Sequence, residues 1–161
     1  EGPTRGENFV TRKITMGIAE IIAQKRKKIY LGNLEAKRDW GHAKDYVKGI
    51  WKILQHKEAD DFVLSTGKTH SVREFIETAF SCVNIEIKWI GKGLNEKGID
   101  KNSGKILVEI NKQYYRPLEV HYLCGDSSKA RKKLKWKCNI SFKELVKEMI
   151  SNDLRKQSIE L

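Results

Sequence analysis

Three short stretches of this 161-residue chain concentrate the side chains that hold anions. They are Arg5-Gly6-Glu7-Asn8-Phe9-Val10-Thr11-Arg12-Lys13-Ile14, then Leu31-Gly32-Asn33-Leu34-Glu35-Ala36-Lys37-Arg38-Asp39-Trp40-Gly41-His42-Ala43-Lys44-Asp45-Tyr46-Val47, and Tyr114-Tyr115-Arg116-Pro117-Leu118-Glu119-Val120. In the first, Arg5 and Gly6 sit in a loop, Asn8 is a short amide donor, and Lys13 falls in the first turns of a helix. Free N–H groups and the helix dipole favour an anion or a polar base at such a place. A plain helix cap for Asn8 and a solvated Lys13 account for these residues equally well. In the second stretch Arg38 stands just ahead of a helix start, where its planar guanidinium can fork onto a pyrophosphate as Lys cannot. An ion pair with Asp39 or Asp45 is the competing use. In the third, Pro117 restricts the backbone at Arg116, and Glu119 can accept hydrogen bonds from a sugar diol or pair with Arg116.

No catalytic set accompanies these receptors. Gly-x-Gly-x-x-Gly is absent, because Gly91-x-Gly93 runs on to Glu96 with no helix behind it. No tyrosine is followed four residues later by lysine, and HExxH, GxSxG and P-loop patterns are missing. His42 reads as a structural or capping histidine, and His56, His70 and His121 as surface. The three cysteines, Cys82, Cys124 and Cys138, are odd in number without CxxC spacing. They read as free thiols in a reducing compartment, with no zinc site, which puts the chain in the cytoplasm. No apolar run nears the ~20 residues a membrane span needs. The net charge of +11 points to an anionic partner. Many of the cations cluster at helix ends, as in Gln24-Lys25-Arg26-Lys27-Lys28, where they complement the dipole. No zinc-finger or RNP-like signature supports nucleic acid, so a nucleotide-type ligand is favoured.

The elements that must position these residues follow from periodicity. Val10, Ile14, Ile18, Ile21 and Ile22 recur at helical spacing, and Ile29-Tyr30-Leu31 reads as a strand running into the Gly32-Asn33 turn. A second helix carries Ala43, Val47, Ile50, Trp51 and Leu54 on one face. Phe62-Val63-Leu64 has the look of a strand buried on both faces. Ser71 and Glu74 form a capping box ahead of a helix bearing Val72, Phe75, Ile76, Ala79, Phe80 and Val83. Strands are expected around Ile85–Trp89 and Ile106–Ile110, with a mobile surface loop from Gly91 to Gly104. A short helix near Ser127–Leu134 and a last one behind the Ser141–Glu144 capping box complete the chain. Glu1 to Gly6 opens it as a polar loop with no element ahead, the beginning expected of a piece of a longer fold. The alternation gives a mixed α/β class.

Read together, the three stretches and Ser71-Val72-Arg73-Glu74-Phe75 closely resemble the GDP-mannose 4,6-dehydratase family of the extended short-chain dehydrogenase/reductases. The resemblance runs from Glu1 to about Asp153. It implies the last part of an NAD(P)-binding Rossmann domain, to which about residues 40–70 contribute, plus the smaller α+β substrate-binding domain. Residues 1–161 would be the C-terminal substrate-binding part, and the N-terminal cofactor and catalytic half is absent. By the same resemblance Arg5 contacts NADP. Asn8, Val10 and Lys13 line the GDP pocket with Leu31, Gly32 and Asn33, Arg38 and Arg116 clamp the diphosphate, and Glu119 holds the GDP ribose.

The implied reaction takes a hydride from C4 of GDP-mannose onto NADP, eliminates water across C5 and C6, and returns the hydride to C6. The product is GDP-4-keto-6-deoxymannose, on the route to GDP-fucose. Implied partners are GDP-mannose, the missing N-terminal half and further copies in a dimer or tetramer, with no nucleic acid and no membrane. Two other readings stand beside it: another nucleotide-sugar epimerase or reductase of the same superfamily, and a basic nucleic-acid-binding module. By itself the chain is expected to be catalytically silent.

Overall fold

A computed structural model describes residues 1–115, 118 and 120–161. In chain order its elements are α1 (Val10–Ile22), β1 (Ile29–Leu31), β2 (Lys37–Arg38), α2 (Ala43–Leu54), β3 (His70–Ser71), α3 (Val72–Ser81), β4 (Ile87–Ile90), β5 (Lys97–Asp100), β6 (Ile106–Ile110), β7 (Tyr122–Leu123), α4 (Ser128–Leu134) and α5 (Phe142–Lys156).

The main core is a helical layer on a four-stranded sheet. Ile14 and Ile18 of α1, Phe75, Ile76 and Phe80 of α3, and Leu145, Met149 and Ile150 of α5 are fully buried together. Beneath them the strands run in the order β1-β6-β5-β4, with β1 and β6 parallel and the others antiparallel. Gly17 lets α1 settle onto the sheet: a Cβ there would stand 2.8 Å from the Ile29 side chain. A second, three-stranded sheet in the order β3-β2-β7 carries Arg38. The fold is mixed α/β, as the element pattern predicts.

Both serine caps form, but only one is a complete box. Ser141 accepts the Glu144 N–H while the Glu144 carboxylate accepts the Ser141 N–H. Ser71 accepts the Glu74 N–H, yet the Glu74 carboxylate turns to the His70 ring at 2.7 Å. His70 is accordingly not a plain surface residue, and its ring stacks on Phe142 at 3.8 Å between centroids.

Three sequence expectations are corrected. The stretch from Gly91 to Gly104 holds β5, paired on both sides by β4 and β6. Only Ile99 in that strand is large and apolar, and Gly98 is required where the Trp89 ring crosses at 3.0 Å from a would-be Cβ, so no alternation reveals it. The strand expected from Ile85 begins at Ile87. Phe62-Val63-Leu64 forms no strand, because no ladder partner for it exists among the described residues, and Val63 is more than half exposed.

Helix α2 forms where its spacing predicts, but turned inside out. Its buried residues are Asp45 and Gly49. Val47, Ile50, Trp51 and Leu54 are between 53 and 75% exposed. The inward side rests on a smaller cluster of Ala130, Leu134 and Trp136 with Tyr46, Ile53, Phe62 and Leu64 against it. Gly49 makes this approach possible, since a Cβ there would meet Leu64 at 2.6 Å and the Trp136 indole at 2.9 Å. Asp45 fixes the following chain by accepting the N–H groups of Asn139 and Ile140, each at 2.9 Å.

Candidate functional site

A cavity of about 580 Å³ opens between the start of α1, the turn after β1, the strand β2 and the turn at Gln113–Tyr114. Every described residue singled out for binding lines it: Arg5, Asn8, Val10, Lys13, Leu31, Gly32, Asn33 and Arg38. Arg116 and Glu119 lie outside the described residues.

The N-terminus of α1 is built to be open. Its N-cap is Phe9, not Asn8, with no side-chain cap bond and no acidic residue in the first turn. The capping use of Asn8 is thereby removed, and the first turn of α1, whose Val10 lines the cavity, is left without a side-chain acceptor for its amides. Arg5 stacks its guanidinium 3.4 Å from the Phe9 ring centre and pairs with Glu1 at 3.2 Å. Lys13, one turn on, holds its ammonium 4.0 Å over the Tyr114 ring.

The opposite wall is set by main-chain geometry. Leu31 accepts the Asn111 N–H at 2.8 Å, which joins β1 to the Gln113–Tyr114 turn. Gly32 then passes directly under Tyr114. Asn33 spends its side-chain oxygen on the Glu35 N–H at 2.9 Å, an Asx turn that leaves its amide nitrogen the polar edge available to a ligand.

Arg38 sits on β2, its Nη1 donating to the carbonyls of Lys37 at 2.9 Å and Val120 at 2.5 Å. Arg38 is also among the residues that line the cavity. Asp39 does not pair with it. One Asp39 oxygen accepts from the Thr66 N–H at 2.9 Å and the Thr66 hydroxyl, and the other from the N–H groups of Gly67 and Gly125 at 2.9 and 3.3 Å. Asp39 thus ties the segment around Thr66 to the chain leaving β7, holding the β2 end in place. Asp45 is likewise committed elsewhere, so neither competing ion pair for Arg38 forms. His42 caps α2 by accepting the Lys44 N–H at 3.0 Å on Nδ1, while Nε2 faces Glu148 at 2.9 Å, which makes it structural. Burial, and next the Asp39 carboxylate, push the Tyr46 hydroxyl well above the usual phenol range.

Cations at the rim, open helix amides and an aromatic floor suit this cavity to a phosphorylated ligand with a planar group. Phe9, Gln113 and Tyr114 also line it and carry no role in the sequence reading, and Asp39, read there only as a rival partner for Arg38, lines it too. The doubled tyrosine ahead of Arg116 was the available signal for Tyr114. Among the described residues no three His, Cys, Asp or Glu side chains gather as a metal site, and no helix is long and apolar enough to cross a membrane.

The family model for GDP-mannose 4,6 dehydratase matches residues 1–149. The chain belongs to the GDP-mannose 4,6-dehydratase family. It is 51% identical over 154 residues to the GDP-mannose 4,6 dehydratase of Dictyostelium discoideum, covering 96% of this chain and 43% of that protein. The human enzyme of the same name is 51% identical, with 96% of this chain and 41% of that protein covered. The chain therefore spans well under half the length of these relatives. Among solved structures, RMD from Pseudomonas aeruginosa complexed with NADPH superposes with a TM-score of 0.78 at 17% identity, over 96% of this chain and 46% of that one. A Bacillus anthracis dTDP-glucose 4,6-dehydratase in complex with NAD gives 0.69 at 14% identity, over 98% and 42%. These likenesses show that the chain shares the mixed α/β fold of the matched portions of those two enzymes.

Proposed function

We propose that this chain is the GDP-sugar-binding part of a GDP-mannose 4,6-dehydratase. The observation that carries the reading is the single cavity lined by Arg5, Asn8, Lys13, Asn33 and Arg38, residues up to 33 positions apart in sequence. Arg38 binds the diphosphate, and the open α1 amides and Asn8 take polar edges of the nucleotide. Family membership over residues 1–149 supports GDP-mannose as the ligand over other nucleotide sugars.

The chain's contribution to the reaction is binding and orientation, which hold the hexose where its C4 and C6 can react. NADP, when bound, supplies hydride acceptance and return. The chain fits that cofactor only at its edge: Arg5 offers one partly exposed guanidinium at the cavity rim, and no Gly-x-Gly-x-x-Gly turn is present to cradle a pyrophosphate. NADPH in the RMD structure and NAD in the dTDP-glucose enzyme support a nicotinamide cofactor, and NADP is the form proposed here.

The partner implied is the remainder of a longer polypeptide carrying the cofactor fold. Two features of residues 40–70 support this: the exposed apolar face of α2 and the strand-like run Phe62–Leu64, which has no ladder among the described residues. In a Rossmann sheet the first would cover the strands and the second would join them. Calorimetry of GDP-mannose against the wild type and Arg38→Ala tests the binding reading. A loss of tenfold or more in affinity is expected; equal affinity would overturn the diphosphate assignment.

A further inference from the structure

Residues 32–36 join β1 to β2 without belonging to either strand, and Gly32, Asn33 and Ala36 of this connection line the cavity. The first turn of α3 holds the connection in place. The Arg73 N–H donates to the Leu34 carbonyl at 3.0 Å, and the Val72 N–H donates to the Ala36 carbonyl at 3.2 Å. The Arg73 side chain then grips the same connection a second time. Its Nε and Nη2 both donate to one Glu35 oxygen, at 2.8 and 2.6 Å. Nη2 also pairs with Glu96, just ahead of β5, at 2.9 Å, and the guanidinium lies 4.5 Å from the centre of the Trp89 ring on β4. Trp89 is fixed in turn by its Nε1, which donates to Glu77, one turn further along α3, at 2.7 Å.

Neither helix capping nor charge balance requires the Glu35 contact. Ser71 already caps α3, and Glu96, with a side chain only 16% exposed, neutralises the guanidinium by itself. The Glu35 side chain is 66% exposed, and an ion pair so open to solvent adds little to stability. What the contact supplies is position. The Asn33 side-chain oxygen accepts the Glu35 N–H at 2.9 Å, so the carboxylate gripped by Arg73 and the amide that orients Asn33 belong to one residue. We infer that Arg73 is a positioning residue for the cavity: anchored on Trp89 and Glu96, it holds Glu35 and through it sets the Asn33 side chain for the ligand. The inference rests on the GDP-sugar reading and deepens it. Neither Arg73 nor Glu35 is among the described residues that line the cavity, so both act at one remove. Arginine suits the task, because its planar fork serves two carboxylates and an aromatic face at once, which a lysine ammonium does not. Without the Glu35 carboxylate the Asn33 turn keeps its own bond, but the connection can shift against α3.

Calorimetric titration of GDP-mannose into the full-length enzyme tests it, with Glu35→Ala, Asn33→Ala, their double variant and Arg73→Lys alongside. Glu35→Ala leaves Arg73 on Glu96 and Trp89, so the fold stays anchored and the melting temperature should hardly move. Its affinity for GDP-mannose is expected to fall about tenfold, within the hundredfold that a misplacement of about 1 Å can cost. Arg73→Lys keeps the charge but loses the fork, and should weaken binding in the same direction. The decisive reading is the double-mutant cycle. In the Asn33→Ala background, Glu35→Ala should cost less than about twofold more, because the group it positions is already gone. A merely structural role for Glu35 gives the same loss with and without the Asn33 side chain. Wild-type affinity in Glu35→Ala, or equal losses in the two backgrounds, overturns this inference and leaves the GDP-sugar reading standing. Wild-type enzyme that does not bind GDP-mannose overturns both.

Discussion

Gly32 lies so close under Tyr114 that a Cβ on the glycine would stand 2.1 Å from the tyrosine's carbonyl oxygen. The constraint is one of space rather than of backbone angle. The neighbour is main chain, held by the Asn111 bonds to Leu31 and Tyr114, and cannot turn aside as a side chain could. Gly32→Ala must therefore push the Gln113–Tyr114 turn away from β1. The expected loss of stability is about 1–3 kcal/mol, the usual cost of overpacking. GDP affinity should fall at least tenfold, because the turn forms one wall of the cavity. Thermal melting and calorimetry on the purified variant measure both, and an unchanged melting temperature would count against the geometry.

Much of this arrangement was legible in the sequence, for identifiable reasons. Helices α1, α3 and α5 bury one face each, so their spacing reports them directly. Ser141 and Glu144 announce their box because both halves are local. Strand β5 hid because its partners supply the apolar contacts: Gly98 gives way to Trp89 instead of contributing a side chain. The α2 spacing revealed a helix but could not say which way it faces, since Asp45 and Gly49 turn inward for reasons located at Leu64, Trp136 and Asn139. In the cavity, motif residues were legible by type, but Phe9 and Tyr114 were not. Each gains its meaning only when a cation distant from it in sequence or one turn away settles over its ring.

A buried ion pair clamps the helical layer. Arg12 of α1 and Asp153 of α5 are each about 2% exposed and bonded to one another, and the Thr15 hydroxyl donates to the same carboxylate at 2.7 Å. Removing one partner strands the other charge in the core. Asp153→Ala is expected to destabilise the protein by about 3–5 kcal/mol. The double substitution Arg12→Met with Asp153→Leu should recover most of that loss, because two apolar side chains leave no uncompensated charge. Urea denaturation followed by circular dichroism gives the comparison. A double variant as unstable as Asp153→Ala would show that the pair is not the source of the loss.

The acid limb of stability has a specific contributor in Glu148. Its hydrogen bond to Lys44 at 2.9 Å, with a smaller contribution from His42, holds the carboxyl below its ordinary value of 4.5. A carboxylate with a depressed folded-state pKa stabilises the protein above its unfolded pKa. That contribution fades as pH falls through the folded value, below 4.5. Because the Lys44 and Glu148 side chains are 64 and 34% exposed, solvent screening keeps the effect under about 1 kcal/mol. Glu148→Gln should lower stability slightly at pH 7 and leave it equal to wild type at the acid end. Chemical denaturation at several pH values would detect this as two curves converging on acidification; parallel curves would exclude the linkage.

The exposed stripe on α2 makes the last prediction. Val47, Ile50, Trp51 and Leu54 lie along one side of a helix whose other side is already satisfied by Leu64 and Trp136. Four large apolar side chains in a row form the kind of contiguous patch that monomeric proteins seldom leave uncovered. Without the remainder of a longer polypeptide to cover it, the patch should find another copy of itself. The chain is expected to self-associate with rising concentration in sedimentation velocity. Trp51→Glu with Leu54→Lys should return it to a monomer without loss of helical circular dichroism, since neither side chain supports the inward face. The same double variant should fail to join a separately supplied Rossmann half, while Lys48→Ala at a polar position of the helix joins normally. Self-association that persists in the double variant would move the cohesive surface away from α2.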